Sequence, residues 1–283
     1  MKKKITLLDG AVGTTLWEHT NDHNPHWKYN IEKPDVVKQV AREFADVGAE
    51  IILTNSFAAN HPNVSSQSSY SVEEIVSTSV RLTREALAGT GKRIALAIGP
   101  LSAMLEPFGD LSTADCRKIF EEMISAGMQE HPDIIYLMTF MDLETMKIAV
   151  SVAKQYQVPV FSSMTFTEFG ATLMGNTVDD IVGELTPMGI DAVGLNCSLG
   201  PDKALSIVKE YKAKTSLPVL FKPNAGTPIL SSGGKEDKPY SPEVFAADFV
   251  PAFEYADAVG GCCGTNATYL KAVKDELDKW EKE

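Results

Sequence analysis

The feature that most constrains this chain is an eightfold alternation between short apolar runs and longer segments of helical periodicity. The runs are Ile5 to Leu8, Ile51 to Thr54, Ile94 to Ile98, Ile134 to Leu137, Val160 to Met164, Ala192 to Leu195, Val219 to Lys222 and Ala256 to Val259. Most are continuously apolar rather than alternating, as parallel strands covered on both faces are. Between them, Pro34 to Val47 carries Val36, Val37, Val40 and Phe44 at helical spacing. Ser71-Val72-Glu73-Glu74 has the form of a capping box ahead of an amphipathic run to Ala88. Thr113 to Met128, Asp142 to Tyr156, Val178 to Leu185, Pro201 to Lys214, Pro242 to Phe253 and Thr268 to Trp280 complete the helical set. No break in composition divides the pattern. It predicts an α/β protein, a single (β/α)8 TIM barrel over residues 1–283. A doubly wound sheet competes with it, but no G-x-G-x-x-G follows the first run.

Length and charge narrow the partners. A chain of 283 residues suits one α/β barrel, and an apolar fraction of 44% is ample for its core. A net charge of −12 argues against a nucleic acid or an anionic membrane. No apolar run approaches the ~18 residues a membrane-spanning helix needs. Lys2, Lys3 and Lys4 could open a signal peptide, but Asp9 interrupts the apolar stretch that follows. Four cysteines in a chain of this length do not form a disulfide framework, so a reducing cytoplasm is the expected setting. Ser231 to Tyr240, with its paired serines and glycines and alternating charges, reads as a loop.

The polar residues fall at the ends of the predicted strands. Asp9-Gly10, Thr54-Asn55, Gly99-Pro100, Thr139, Thr165, Asn196-Cys197, Pro223-Asn224 and Cys262-Cys263 each follow an apolar run. In a barrel these ends converge on the face where such folds place their chemistry. Cys262 and Cys263 lie within Gly260-Gly261-Cys262-Cys263-Gly264, where glycines free the backbone so that both sulfurs can face one point. A third thiolate would complete a shell with an open fourth position, which separates a catalytic zinc from a structural one. Cys197, two strands away around the ring, is within reach. A closed site that also uses Cys116, or unliganded buried thiols, are the competing readings. Cys116 has no glycine beside it and reads as a small apolar residue of a helix. His19, His23, His26, His61 and His131 are scattered in loops and read as surface residues, which disfavours a hydrolase using zinc-bound water.

Five segments carry a resemblance. They are Leu8-Asp9-Gly10-Ala11-Val12-Gly13-Thr14, Leu53-Thr54-Asn55-Ser56-Phe57, Gly194-Leu195-Asn196-Cys197-Ser198-Leu199-Gly200-Pro201, Lys222-Pro223-Asn224-Ala225-Gly226 and Gly260-Gly261-Cys262-Cys263-Gly264-Thr265. In these, and in their order, the chain resembles the homocysteine S-methyltransferase family, most closely its methionine synthase branch. The resemblance implies Cys197, Cys262 and Cys263 as ligands of a Zn2+ ion that takes the substrate thiol as its fourth ligand, so that no protein nucleophile is needed. It implies Asp9 as the group holding the amino group of homocysteine, with Asn196 and Thr139 helping to orient the metal shell or the substrate. The product expected is methionine.

One position departs from the family. Its usual Glu-Thr-Phe after the fourth strand is here Met138-Thr139-Phe140. Losing a charge-assisted hydrogen bond costs about 1.5–3 kcal/mol, or one to two decades in affinity. Either another carboxylate, such as Glu168 or Asp142, holds the ammonium, or the acceptor thiol has no amino group there. The methyl donor is a small molecule such as S-methylmethionine or a separate corrinoid protein docked over the barrel mouth, since the chain has no D-x-H-x-x-G segment and no room for a folate-binding barrel. A zinc- or thiol-binding module without turnover is the reading from a different class.

Overall fold

The computed structural model describes residues 2–226 and 240–283. The loop expected at Ser231 to Tyr240 lies outside these except for its last residue. Eight parallel strands form one sheet in the order β1-β8-β7-β6-β5-β4-β3-β2. They are β1 (Thr6–Leu7), β2 (Ile51–Leu53), β3 (Arg93–Ile98), β4 (Ile134–Phe140), β5 (Val160–Met164), β6 (Ala192–Asn196), β7 (Val219–Lys222) and β8 (Ala258–Val259). A parallel bridge from Leu8 to Ile51 joins the two ends of the sheet, which makes the ring a barrel. Each apolar run therefore becomes a strand, and β4 runs three residues beyond its predicted end.

The helices are α1 (Val12–Thr20), α2 (Tyr29–Glu32), α3 (Pro34–Asp46), α4 (His61–Gln67), α5 (Val72–Ala86), α6 (Thr113–Met128), α7 (Leu143–Ala153), α8 (Val178–Leu185), α9 (Pro201–Lys214), α10 (Pro242–Phe249) and α11 (Ala267–Trp280). No helix among the described residues is long and apolar enough to cross a membrane. Ser71 caps α5 by accepting from Glu74 N–H, but among the described residues the full reciprocal box forms at Thr177 and Asp180, ahead of α8. Cys116 is fully buried in α6, where burial pushes its thiol up to about 11. It packs as the small apolar residue expected.

Two apolar layers result. The larger lies between strands and helices; the smaller fills the barrel interior and includes Leu8, Ile51, Leu53, Ile134, Tyr136 and Met138. Along β4 the inward set is Ile134, Tyr136 and Met138, while Ile135 and Leu137 join the outer layer, the period-two alternation of a strand. Met138 is thus the top inward residue of β4. The register of β4 against β5 shifts between Leu137 and Phe140, and Thr139 there has φ 66°. This bulge ends the regular ladder where the site begins.

Candidate functional site

Above the inner core, the C-terminal strand ends enclose a cavity of about 250 Å³. Its cysteine wall comes from β6 and β8. Cys197 follows β6 directly and, with Ser198, adopts the left-handed conformation, at φ 67° and 62°. Non-glycine residues in that region each carry about 1–3 kcal/mol of strain and persist only when their surroundings hold them. Three contacts do so: Cys197 N–H donates to Lys222 O, Leu199 N–H donates to Cys197 O, and the Ser198 hydroxyl is close to that of Thr165. Gly264, at φ 81°, turns the chain after the vicinal cysteines, and Cys262 N–H donates to Pro223 O at 2.8 Å.

The three sulfurs of Cys197, Cys262 and Cys263 lie within 4.8 Å of one another, and Cys197 and Cys263 are 3.8 Å apart. Tetrahedral Zn–S bonds of about 2.3 Å would separate two sulfurs by roughly 3.8 Å. The residues present therefore fit a three-thiolate metal site, and Cys116 is not among them. Cys262 is the most acidic of the three: contacts with Cys197 and then Cys263 push its thiol down, and the Lys222 charge adds to this. In return Cys197 is pushed up to about 12 by Cys262, and Cys263 is pushed up by Cys197 and Cys262.

Asn196 is fully buried and works from behind this wall. Its Oδ1 accepts from Thr139 N–H at 2.7 Å, and its Nδ2 donates to Thr139 Oγ1 at 2.6 Å and to Cys262 Sγ at 3.6 Å. One amide thus ties the β4 bulge to a cysteine of β8. Met138 and Thr139 themselves line the cavity.

Asp9 is also fully buried and does not line the cavity. Its Oδ2 accepts from Leu53 N–H at 2.7 Å, while Lys222 Nζ donates to its Oδ1 and, at 3.0 Å, to its carbonyl. Burial pushes the Asp9 carboxyl up, against the downward pull of the Lys222 ammonium and the Leu53 amide. Lys222, only 1% exposed, faces the cavity with its amine committed to Asp9. Of the other carboxylates considered, Asp142 caps α7 by accepting from Glu144 and Thr145 N–H, and Glu168 is exposed. No aspartate or glutamate is among the described residues lining the cavity.

His26 corrects an expectation. Four of the histidines are exposed, but His26 lines the cavity against Gly13, Thr14, Trp17 and Asn55. Its Nδ1 lies 2.6 Å from Asn55 Oδ1, and burial holds its pKa below the ordinary imidazole value. Two signals in the sequence bear on the residues that were missed. Lys222 ends an otherwise apolar strand, so its charge must meet a partner in the barrel. Gly13 lies in α1 where a Cβ would come within 3.0 Å of His26 Nε2, so only glycine admits the ring.

The profile of the homocysteine S-methyltransferase family matches residues 6–277. Among curated proteins, the methionine synthases of Mycobacterium tuberculosis (strain ATCC 25618 / H37Rv) and Mycobacterium leprae (strain TN) are 27% identical over 295 residues and 26% over 298. Each alignment covers 96% of this chain but only 24% of the relative. The metallated form of the homocysteine methyltransferase MmuM from Escherichia coli superposes with a TM-score of 0.81 at 21% identity, over 97% of this chain and 96% of that one, which shows a shared fold. Strand-end motifs, barrel and profile agree: this chain belongs to the homocysteine S-methyltransferase family.

Proposed function

We propose that this barrel transfers a methyl group to the sulfur of a small thiol, homocysteine, giving methionine, with Zn2+ as cofactor. The observation that carries the reading is the convergence of three thiols from the ends of β6 and β8 on one cavity. Cys197, Cys262 and Cys263 would hold the ion. A zinc ion there would deprotonate an incoming thiol at neutral pH and keep it nucleophilic. The chain's own residues do the rest. Asn196 sets the position of Cys262 and the Thr139 backbone together, so the sulfur wall and the β4 wall move as one. Asp9 acts from behind, holding Lys222 against the cavity floor. Leu53, Phe57, Ala97 and Met138 make the pocket apolar, which keeps water from the reacting sulfur.

The methyl donor reaches the sulfur from the open face, and a corrinoid-carrying module, on this chain or another, is the donor this surface favours. Five of the six large hydrophobic side chains most exposed among the described residues, Met104, Phe108, Met141, Phe169 and Leu173, stand in the segments after β3, β4 and β5 on that face.

The test is calorimetric titration of the zinc-loaded protein with L-homocysteine in buffers of differing ionisation enthalpy. Release of about one proton per thiol bound is expected. Binding without proton release would remove thiolate capture from the reading.

A further inference from the structure

His26 is the titratable group of the cavity wall to which thiol activation gives no task. The network around it fixes its tautomer. Asn55 Nδ2 donates to His26 O at 2.8 Å and to Asn30 Oδ1 at 2.9 Å, which sets the orientation of the Asn55 amide. Asn55 Oδ1 is therefore the acceptor facing His26 Nδ1, so the ring hydrogen sits on Nδ1 and Nε2 carries a lone pair. Asn30 is anchored in turn by donating to the carbonyls of Asn55 and Ile75. Trp17 packs edge-on against the ring with centroids 5.9 Å apart. Among the described residues, Nε2 has no hydrogen-bond partner. Nε2 thus stands unused in a cavity whose described walls hold no carboxylate, and where Met138 offers only a thioether.

We propose that His26 Nε2 receives the amino group of the acceptor thiol and so selects an amino thiol over its des-amino counterpart. This rests on the thiol-methylation reading and names the group that recognises the far end of that substrate. The rigid Asn30–Asn55–His26 chain keeps the acceptor aimed before substrate arrives, which lowers the ordering cost of binding. Burial lowers the ring's affinity for a proton, so it meets an ammonium as a neutral acceptor rather than as a like charge.

The experiment titrates the zinc-loaded full chain with L-homocysteine and with 4-mercaptobutanoate, in the wild type, His26→Phe and His26→Gln. The wild type is expected to bind homocysteine more tightly. His26→Phe should weaken homocysteine roughly 10- to 100-fold, the range for a lost charge-assisted hydrogen bond, and leave 4-mercaptobutanoate unchanged. His26→Gln, which keeps an acceptor, should recover part of that loss. The glutamine variant also keeps the test valid if the phenylalanine variant does not fold. Equal wild-type affinity for both thiols, or equal loss of both in the variants, overturns the proposal while thiol binding stands. Binding of neither thiol by the wild type overturns the thiol reading with it.

Discussion

At the N-terminal end of the barrel one device is used three times; at the C-terminal end no device repeats among the described residues. Asp133, Asp191 and Asp257 each stand one residue before an even-numbered strand. Each carboxylate accepts from an amide at the start of the preceding strand: Ile94 at 2.7 Å, Val160 at 2.8 Å and Val219 at 2.9 Å. Each aspartate's own N–H donates back to the carbonyl of the same residue. This two-bond clasp satisfies backbone groups that water would otherwise have to reach. The opposite end holds a bulge, three left-handed non-glycine residues (Thr139, Cys197 and Ser198) and the buried Asp9–Lys222 pair. Regularity at one end supplies the stability that lets the other hold strained, chemically useful geometry.

That contrast can be broken by mutation. The largest effect is expected from Cys262→Ser, which should strip zinc and abolish methyl transfer, beyond the 10- to 100-fold typical of losing an outer partner of a metal site. Metal analysis of the purified variant checks it, and full zinc content would remove Cys262 from the ligand set. Lys222→Met should cost about 3–5 kcal/mol in a denaturant titration, because it strands the Asp9 carboxylate in the core. Adding Asp9→Leu should recover much of that loss, which separates a structural pair from a binding one. Asn196→Ala should weaken zinc about 10- to 100-fold by releasing Cys262 and the β4 bulge, read by competition with a chelator. The smallest effect belongs to the other end: Asp257→Asn should cost about 1 kcal/mol at neutral pH and leave zinc affinity untouched. Although burial raises it, the Val219 amide, Lys212 and Lys3 together hold the Asp257 carboxyl below its ordinary value. Its stabilisation is therefore present above the unfolded pKa and is lost as the pH falls below about 4, so wild type and variant should converge in acid. A zinc defect in this variant would show that the two ends are coupled.

Much of this architecture could be read from residues. The eight strands announce themselves because a parallel barrel strand is apolar on both faces. The cysteine trio stands out because glycines flank it and strand order brings it together. Helix α1 leaves little trace in the sequence because Gly13, Thr14 and Thr15 are poor helix formers and no side chain caps its start. Helix α4, seven mostly polar residues, has no apolar stripe to detect. The Lys222–Asp9 pair spans 213 positions, and nothing local links its members. His26 escapes for a similar reason: it is half-buried against Asn55 and Gly13, which only the closed barrel brings beside it.

The bond from Leu53 N–H to Asp9 Oδ2 sits just above the Leu8–Ile51 bridge, at the seam where β1 meets β2 and the ring closes. That amide proton is consequently a built-in reporter. Its resonance follows the charge on Asp9, and its exchange with solvent follows the opening of the seam. A single peak in an amide spectrum thus reads both the electrostatic state behind the sulfur site and the integrity of the ring, without a label in the pocket.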